Sequence, residues 1–253
     1  MTRIIALANQ KGGVAKTTTV QNVGAGLALR GKRVCLVDLD PQANLTEGMG
    51  IDPDNLELST FNLIIDGSPL NSVIREIKEN LWLLPSNIEL AGAEVKLATL
   101  AGKDARLKKA LEKAEGFDYI IIDCPPSLSQ LTLNGLTACT EVVVPLQTEF
   151  YSFKALKKLL ETIEMVKQYT NPDITLSGII CTFFRDQRNL NKNVVDLVKE
   201  HFGTKVFNTK IHDNIKLAEA PAAGQDIFAY FSNCVGAWDY KNLCDEIIAM
   251  EVA

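Results

Sequence analysis

The sequence predicts an α/β protein built on a single doubly wound, mainly parallel β-sheet flanked by helices, a three-layer Rossmann-like arrangement. Three observations carry this. Short β-rich runs alternate with longer stretches of helical period along the chain. Most of those runs are continuously apolar, as strands covered on both faces should be. A glycine-bearing turn, Gln10–Ala15, joins the first strand to a helix opening at Lys16. Repeated strand-helix-strand order implies right-handed crossovers and hence a parallel sheet with helices on both sides.

In order along the chain, strands are expected at Ile4–Asn9, Arg33–Asp38, Leu81–Pro85, Tyr119–Asp123, Glu141–Pro145 and Leu176–Thr182. Helices are expected at Lys16–Arg30, Ile88–Leu100, Arg106–Glu115, Ser129–Ala138, Ser152–Tyr169, Leu190–His201 and Gly236–Met250. Gly31 and Gly116 sit where helix C-termini should fall, and Asn171-Pro172 stops the long helix before the sixth strand. The segment Gly48–Leu81 reads as a surface insertion with one or two short helices. No linker, low-complexity tract or internal repeat interrupts the series, so residues 1–253 are expected to form one domain.

An apolar fraction of 47% and a charged fraction of 23% are those of an ordinary globular protein. The six cysteines are scattered, with no C-x-x-C pair, and read as buried reduced thiols. No apolar run approaches the ~20 residues that span a bilayer, and the N-terminal run is too short for a secretory signal, so a cytoplasmic location is expected. The net charge of −5 disfavours a protein coated in positive charge but leaves room for a local basic patch.

The turn before Lys16 has the chemistry of a phosphate site. Gly12 and Gly13 let backbone N–H groups converge on an anion, and the helix N-terminus adds a favourable dipole. Lys11, Gly12, Gly13, Val14, Ala15, Lys16, Thr17 and Thr18 are the expected nucleotide-binding residues. Lys16 would neutralise the β- and γ-phosphates, and the Thr17 hydroxyl would bind Mg²⁺. The strict pattern G-x-x-x-x-G-K-[ST] is not met, because Gln10 and Ala15 occupy its glycine positions. Read alone, Lys11 is a second local phosphate cation or a solvated surface lysine. The stretch Lys11-Gly12-Gly13-x-x-Lys16-Thr17 resembles the deviant Walker A motif of the ParA/MinD family of P-loop ATPases, K-G-G-x-G-K-[ST]. That resemblance implies ATP and Mg²⁺ as cofactors. It also implies a homodimer sandwiching ATP, in which Lys11 reaches the partner's phosphates. Ala15 departs from the pattern: a methyl group there is expected to crowd the phosphates, or to strain the backbone if the position needs positive φ, with turnover more exposed than affinity.

The resemblance extends further. Val37-Asp38-Leu39-Asp40-Pro41-Gln42 is similar to the family's V-D-x-D-P-Q switch, which implies that Asp40 positions the attacking water and Asp38 supports the metal shell. Tyr119–Asp123 looks like a Walker B strand, whose Asp123 would hold Mg²⁺ through water. Lys11, Lys16 and Asp40 are thus the expected catalytic set, and Thr17, Asp38 and Asp123 the metal set. Val144–Phe150 is similar to V-P-x-Q-x-E-[YF], and Asn214–Pro221 to N-V-R-L-S-E-A-P. These point to the Soj-type chromosome- and plasmid-partitioning branch. Where the family has Pro-Arg, this chain has His212-Asp213; with Phe183 these are the expected base contacts.

The branch implies non-specific DNA binding, a ParB-type activator and a nucleoid-associated location, with hydrolysis slow and partner-stimulated. Arg185, Arg188, Lys192 and Lys216 are the candidate phosphate cations, with Lys205 and Lys210 further on. Because the chain begins at its first strand, no N-terminal DNA-reading domain is expected. The alternatives are a MinD-like membrane-cycling ATPase, or ParA-like positioning of another cargo. The acidic polar face of Leu243–Glu251 argues against stable membrane association.

Overall fold

The computed structural model describes residues 2–149 and 152–251, with side chains left undescribed at 152–155. Eight strands form one sheet: β1 (Arg3–Leu7), β2 (Val34–Asp38), β3 (Arg75–Lys78), β4 (Leu81–Leu84), β5 (Tyr119–Asp123), β6 (Glu141–Gln147), β7 (Thr175–Phe184) and β8 (Val206–His212). The order across the sheet is β3-β4-β2-β5-β1-β6-β7-β8, and every pairing is parallel except β3 with β4. The helices are α1 (Lys16–Ala28), α2 (Asn44–Gly48), α3 (Leu70–Val73), α4 (Leu90–Thr99), α5 (Arg106–Leu111), α6 (Gln130–Ala138), α7 (Ser152–Tyr169), α8 (Asn189–Phe202), α9 (Ile215–Ala222), α10 (Ile227–Phe231) and α11 (Val235–Ala249).

The central strands are covered on both faces, and their side chains feed two separate cores. Ile120 and Ile122 of β5 pack with Leu97, Leu136 and Ile163 on one side, while Tyr119 and Ile121 pack with Val23, Leu27 and Leu243 on the other. This is why β2 and β5 read as unbroken apolar runs: every position from Val34 to Val37 and from Tyr119 to Ile122 is buried. Burying apolar area at about 25 cal/mol per Å² is the main favourable term holding these three layers together.

All six expected strands are present, with ends shifted by up to two residues. Two strands were missed, and both lie at sheet edges. β3 is Arg-Glu-Ile-Lys, polar as an edge strand tends to be, and it makes the Gly48–Leu81 insertion part of the sheet. β8 carries exposed or half-buried Asn208, Thr209 and Lys210 in its middle, and its register with β7 is irregular. The helix expected at Arg106–Glu115 ends at Leu111, so Gly116, at φ 80°, turns the following loop rather than the helix end. Gly31, at φ 76°, does close the end of α1, its N–H donating to Ala28 O. Five cysteines are buried; Cys234 is half-exposed and caps the N-terminus of α11. Among the described residues, no helix is long and apolar enough to cross a membrane.

Candidate nucleotide site

The site grows from the C-terminal edge of the sheet, where β1, β2 and β5 end side by side. Residues 8–15 leave β1 and turn back into α1. Asn9 anchors the turn, its side chain donating to Pro145 O at 2.7 Å and accepting from Lys11 N at 3.0 Å. Val14 is buried, and its carbonyl accepts from the Thr182 hydroxyl. Gly13 has φ 68°, a conformation glycine adopts freely. Ala15, the N-cap of α1, sits at φ 65° and ψ 33°. The departure noted in the sequence therefore lands on a left-handed backbone position, which costs an L-residue about 1 kcal/mol.

Lys16 is 7% exposed, and its ammonium folds back onto the loop, 3.5 Å from Lys11 O. Burial lowers its pKa, opposed by the carboxylates of Asp123 and Asp40. A cavity of about 520 Å³ opens over the loop. Gly12, Gly13, Ala15, Lys16, Thr17 and Thr18 line its floor, and Asp40, Pro126 and Phe183 part of its wall. An adjoining cavity of about 370 Å³ is bounded by Ala15, Thr18, Phe183, His212, Asp213 and Asn214. Phe183 borders both cavities and itself holds φ 52°. The structure thus brings Phe183, His212 and Asp213 together next to the loop.

β2 and β5 are in register at their ends, Asp38 opposite Asp123. Both carboxylates are fully buried, yet their surroundings differ. Asp38 accepts from Asp40 N at 3.1 Å, Thr46 N at 2.9 Å and the Thr46 hydroxyl at 2.7 Å. Asp38 was expected in the metal shell; its oxygens are instead occupied in tying α2 to the strand end. Burial pushes its pKa up to about 7, opposed by the Thr46 and Asp40 hydrogen bonds. Among the described residues, neither buried oxygen of Asp123 has a hydrogen bond of normal geometry. Burial, and then the Asp38 charge, push its pKa up to about 8, with the Thr17 hydroxyl and Lys16 opposing. An orphaned buried carboxylate beside a threonine hydroxyl is the donor set a hard cation such as Mg²⁺ requires. The residues present fit that cation.

Asp40 is 9% exposed, accepts from Gln42 N at 3.0 Å and has its carbonyl held by the Ser86 hydroxyl at 2.9 Å. Lys11 turns away from the cavity to Glu149 at 2.7 Å and Gln147 at 2.8 Å. Phe150, the last residue of that stretch, lies outside the described residues. His212 is pinned between Asp239 at 3.0 Å and Asp186 at 3.3 Å, with its backbone N–H also donating to Asp239.

Of the candidate DNA cations, Arg185 is paired with Asp213, and Lys216 with Glu219 while lying over the Phe231 ring. Their charge is partly met inside the chain. Arg188 and Lys192 are exposed at the start of α8, and no ion pair is formed by either among the described residues. Lys205 is exposed, and Lys210 lies over the Phe184 ring.

Sequence reading missed Asn44, Glu47, Pro126 and Ala222 in the phosphate cavity, and Ile211, Asn214 and Ile215 in its neighbour. The Asn214–Pro221 stretch was visible as a motif. That it forms a helix, with the Asn214 side chain capping Lys216 N, is what brings its start to the cavity.

A strand, glycine turn and helix with a buried lysine, facing a strand-end carboxylate, define a P-loop nucleotide-triphosphatase. Comparison with known proteins gives the branch. Residues 2–176 match a family described as an AAA domain. The chain is 44% identical over 251 residues to the sporulation initiation inhibitor protein Soj of Bacillus subtilis, covering 98% of this chain and 99% of that protein. It is 38% identical over 253 residues to the chromosome partitioning protein ParA of Caulobacter vibrioides, covering 98% and 95%. A Mycobacterium smegmatis structure, named as a cobyrinic acid a,c-diamide synthase with bound ADP and magnesium, superposes with TM-score 0.88 at 40% identity, over 100% of this chain and 96% of that one. The chain belongs to the ParA/Soj family of partitioning ATPases.

Proposed function

We propose that this chain is an ATP-dependent dimer that coats DNA without sequence preference and is released when a ParB-type partner stimulates hydrolysis, so that it positions a chromosome or plasmid in the cytoplasm. The observation that carries this is the divergence of the two loop lysines. Lys16 is buried over the loop, whereas the Lys11 side chain is 36% exposed and points out of its own cavity. One lysine is set to serve the nucleotide of its own chain, and the other lies outside that cavity, bonded to Glu149 and Gln147.

In this reading Lys16 and the N–H groups of residues 12–17 hold the phosphates, and Thr17 and Asp123 hold Mg²⁺. When bound, Mg²⁺ supplies charge stabilisation to the β- and γ-phosphate oxygens. Asp40, fixed through Ser86 and Gln42, orients the water. Asp38 and Thr46 fix the Asp40 backbone. Hydrolysis is slow until a second chain supplies Lys11 and an activator completes the arrangement. Arg188 and Lys192 supply phosphate contacts; Arg185 and Lys216 join them if DNA displaces their carboxylates. Phe183, His212 and Asp213 flank the base. The M. smegmatis protein bears a synthase's name, but the C. vibrioides relative carries a partitioning name, and the function proposed here follows the latter.

A gel-shift series tests the proposal. DNA retention is expected with ATP and Mg²⁺, absent with ADP, lost in Lys11→Ala and steeply weakened by added salt. Retention that ignores the nucleotide, or equal binding to liposomes, contradicts it.

A further inference from the structure

Lys11 is not a free lysine waiting for a partner. Its ammonium lies 2.7 Å from Glu149 Oε2 and 2.8 Å from Gln147 Oε1, and Gln147 Nε2 donates to Glu149 Oε1 at 2.9 Å, closing a triangle. The acceptor side of that triangle is firmly seated. Between its two members lies Thr148, 1% exposed, whose N–H and hydroxyl donate to Thr182 O and whose carbonyl accepts from Asn191 at 2.6 Å. Lys11, by contrast, extends from a loop on a long, flexible side chain. The backbone beneath the acidic end is therefore held, while Lys11 is the longer arm of the pair.

We propose that Glu149, supported by Gln147, is a latch that holds Lys11 on its own chain and must release it before Lys11 can meet a nucleotide held by a second copy. This rests on the trans-acting role of Lys11 given above. The strength suits a brake rather than a block. Glu149 and Lys11 side chains are 52% and 36% exposed, so water screens the pair. Glu149 then acts through Lys11 as a positioning residue. Release and dimerisation are coupled, since an ammonium drawn to the partner's phosphates no longer neutralises its own glutamate.

The test is analytical ultracentrifugation with Mg²⁺ and a non-hydrolysable ATP analogue, on the wild type, Glu149→Gln, Lys11→Ala and the double variant. Removing the charge is expected to tighten dimerisation by about two- to fivefold at low salt, the range for a part-exposed ion pair. That advantage should shrink toward unity as salt approaches ~1 M. The double variant should match Lys11→Ala, because the latch has nothing else to hold. Glu149 is exposed, so folding is expected to persist, and circular dichroism checks it. A Glu149→Gln dimer that is unchanged or weaker overturns the latch while leaving the dimer intact, as does a gain that persists without Lys11. A wild type that stays monomeric with the analogue overturns both the latch and the dimer reading beneath it.

Discussion

Two aspartates end neighbouring strands at the same level, and the molecule treats them oppositely. Asp38 closes β2 with three donated hydrogen bonds, and Asp123 closes β5 with none of normal geometry. Both are buried, so both carry the desolvation cost of a carboxylate removed from water. The difference teaches what each is for. A satisfied carboxylate holds its surroundings still, here α2 and the Asp40 backbone. An unsatisfied one stores free energy that a cation can release.

The two carboxylates should part most widely when Asp123 is changed. Asp123→Asn should reduce Mg²⁺-dependent hydrolysis by about 100-fold or more, since charge stabilisation at the phosphates is lost; steady-state turnover checks it. The same change should stabilise the nucleotide-free protein at pH 8, because the desolvation cost of a buried carboxylate outweighs what Lys16 and Thr17 return to it.

Asp38→Asn should do the reverse. It leaves one carbonyl oxygen for donors that now use both carboxylate oxygens: with that oxygen on the two Thr46 donors, the amide NH2 is set against Asp40 N, at about 2 kcal/mol, while Mg²⁺ binding survives. Thermal melts read this as a drop of about 4–8 °C.

How far these roles could be read in advance depends on what surrounds each residue. The apolar runs of β2 and β5 and the Lys16-Thr17 pair are local patterns, so both the core of the sheet and the loop were legible. The distinction between Asp38 and Asp123 was not, because it depends on Thr46, which reaches Asp38 only through the turn at Ala43, φ 53°. The edge strands escaped for the opposite reason: β3 and the middle of β8 are too polar to stand out from loops. The pairing of Arg185 with Asp213 escaped because the two meet only where β7 and β8 end together.

A third prediction concerns pH. Both aspartates have folded pKa values raised above the unfolded value, to about 7 and about 8. The folded state thus binds more protons than the unfolded chain between about pH 4 and pH 8, and stability falls as pH rises through that window. The melting temperature of the nucleotide-free protein should fall by several degrees between pH 6 and pH 8.5. Saturating Mg²⁺-nucleotide should blunt that fall, and Asp123→Asn should blunt it more than Asp38→Asn.

The smallest expected effect lies at the loop itself. Ala15→Gly relieves a left-handed alanine, partly offset by the greater freedom of glycine in the unfolded chain. A gain of about 0.5–1 kcal/mol in denaturant titration is expected, with faster turnover if the methyl group crowds the phosphates.

The most direct test of the central contrast is the Mg²⁺ dependence of ADP affinity, measured calorimetrically for the wild type, Asp38→Asn and Asp123→Asn. Mg²⁺ should tighten ADP binding in the wild type and in Asp38→Asn and make little difference in Asp123→Asn. An unchanged Mg²⁺ effect in Asp123→Asn, with loss of that effect in Asp38→Asn, would contradict it.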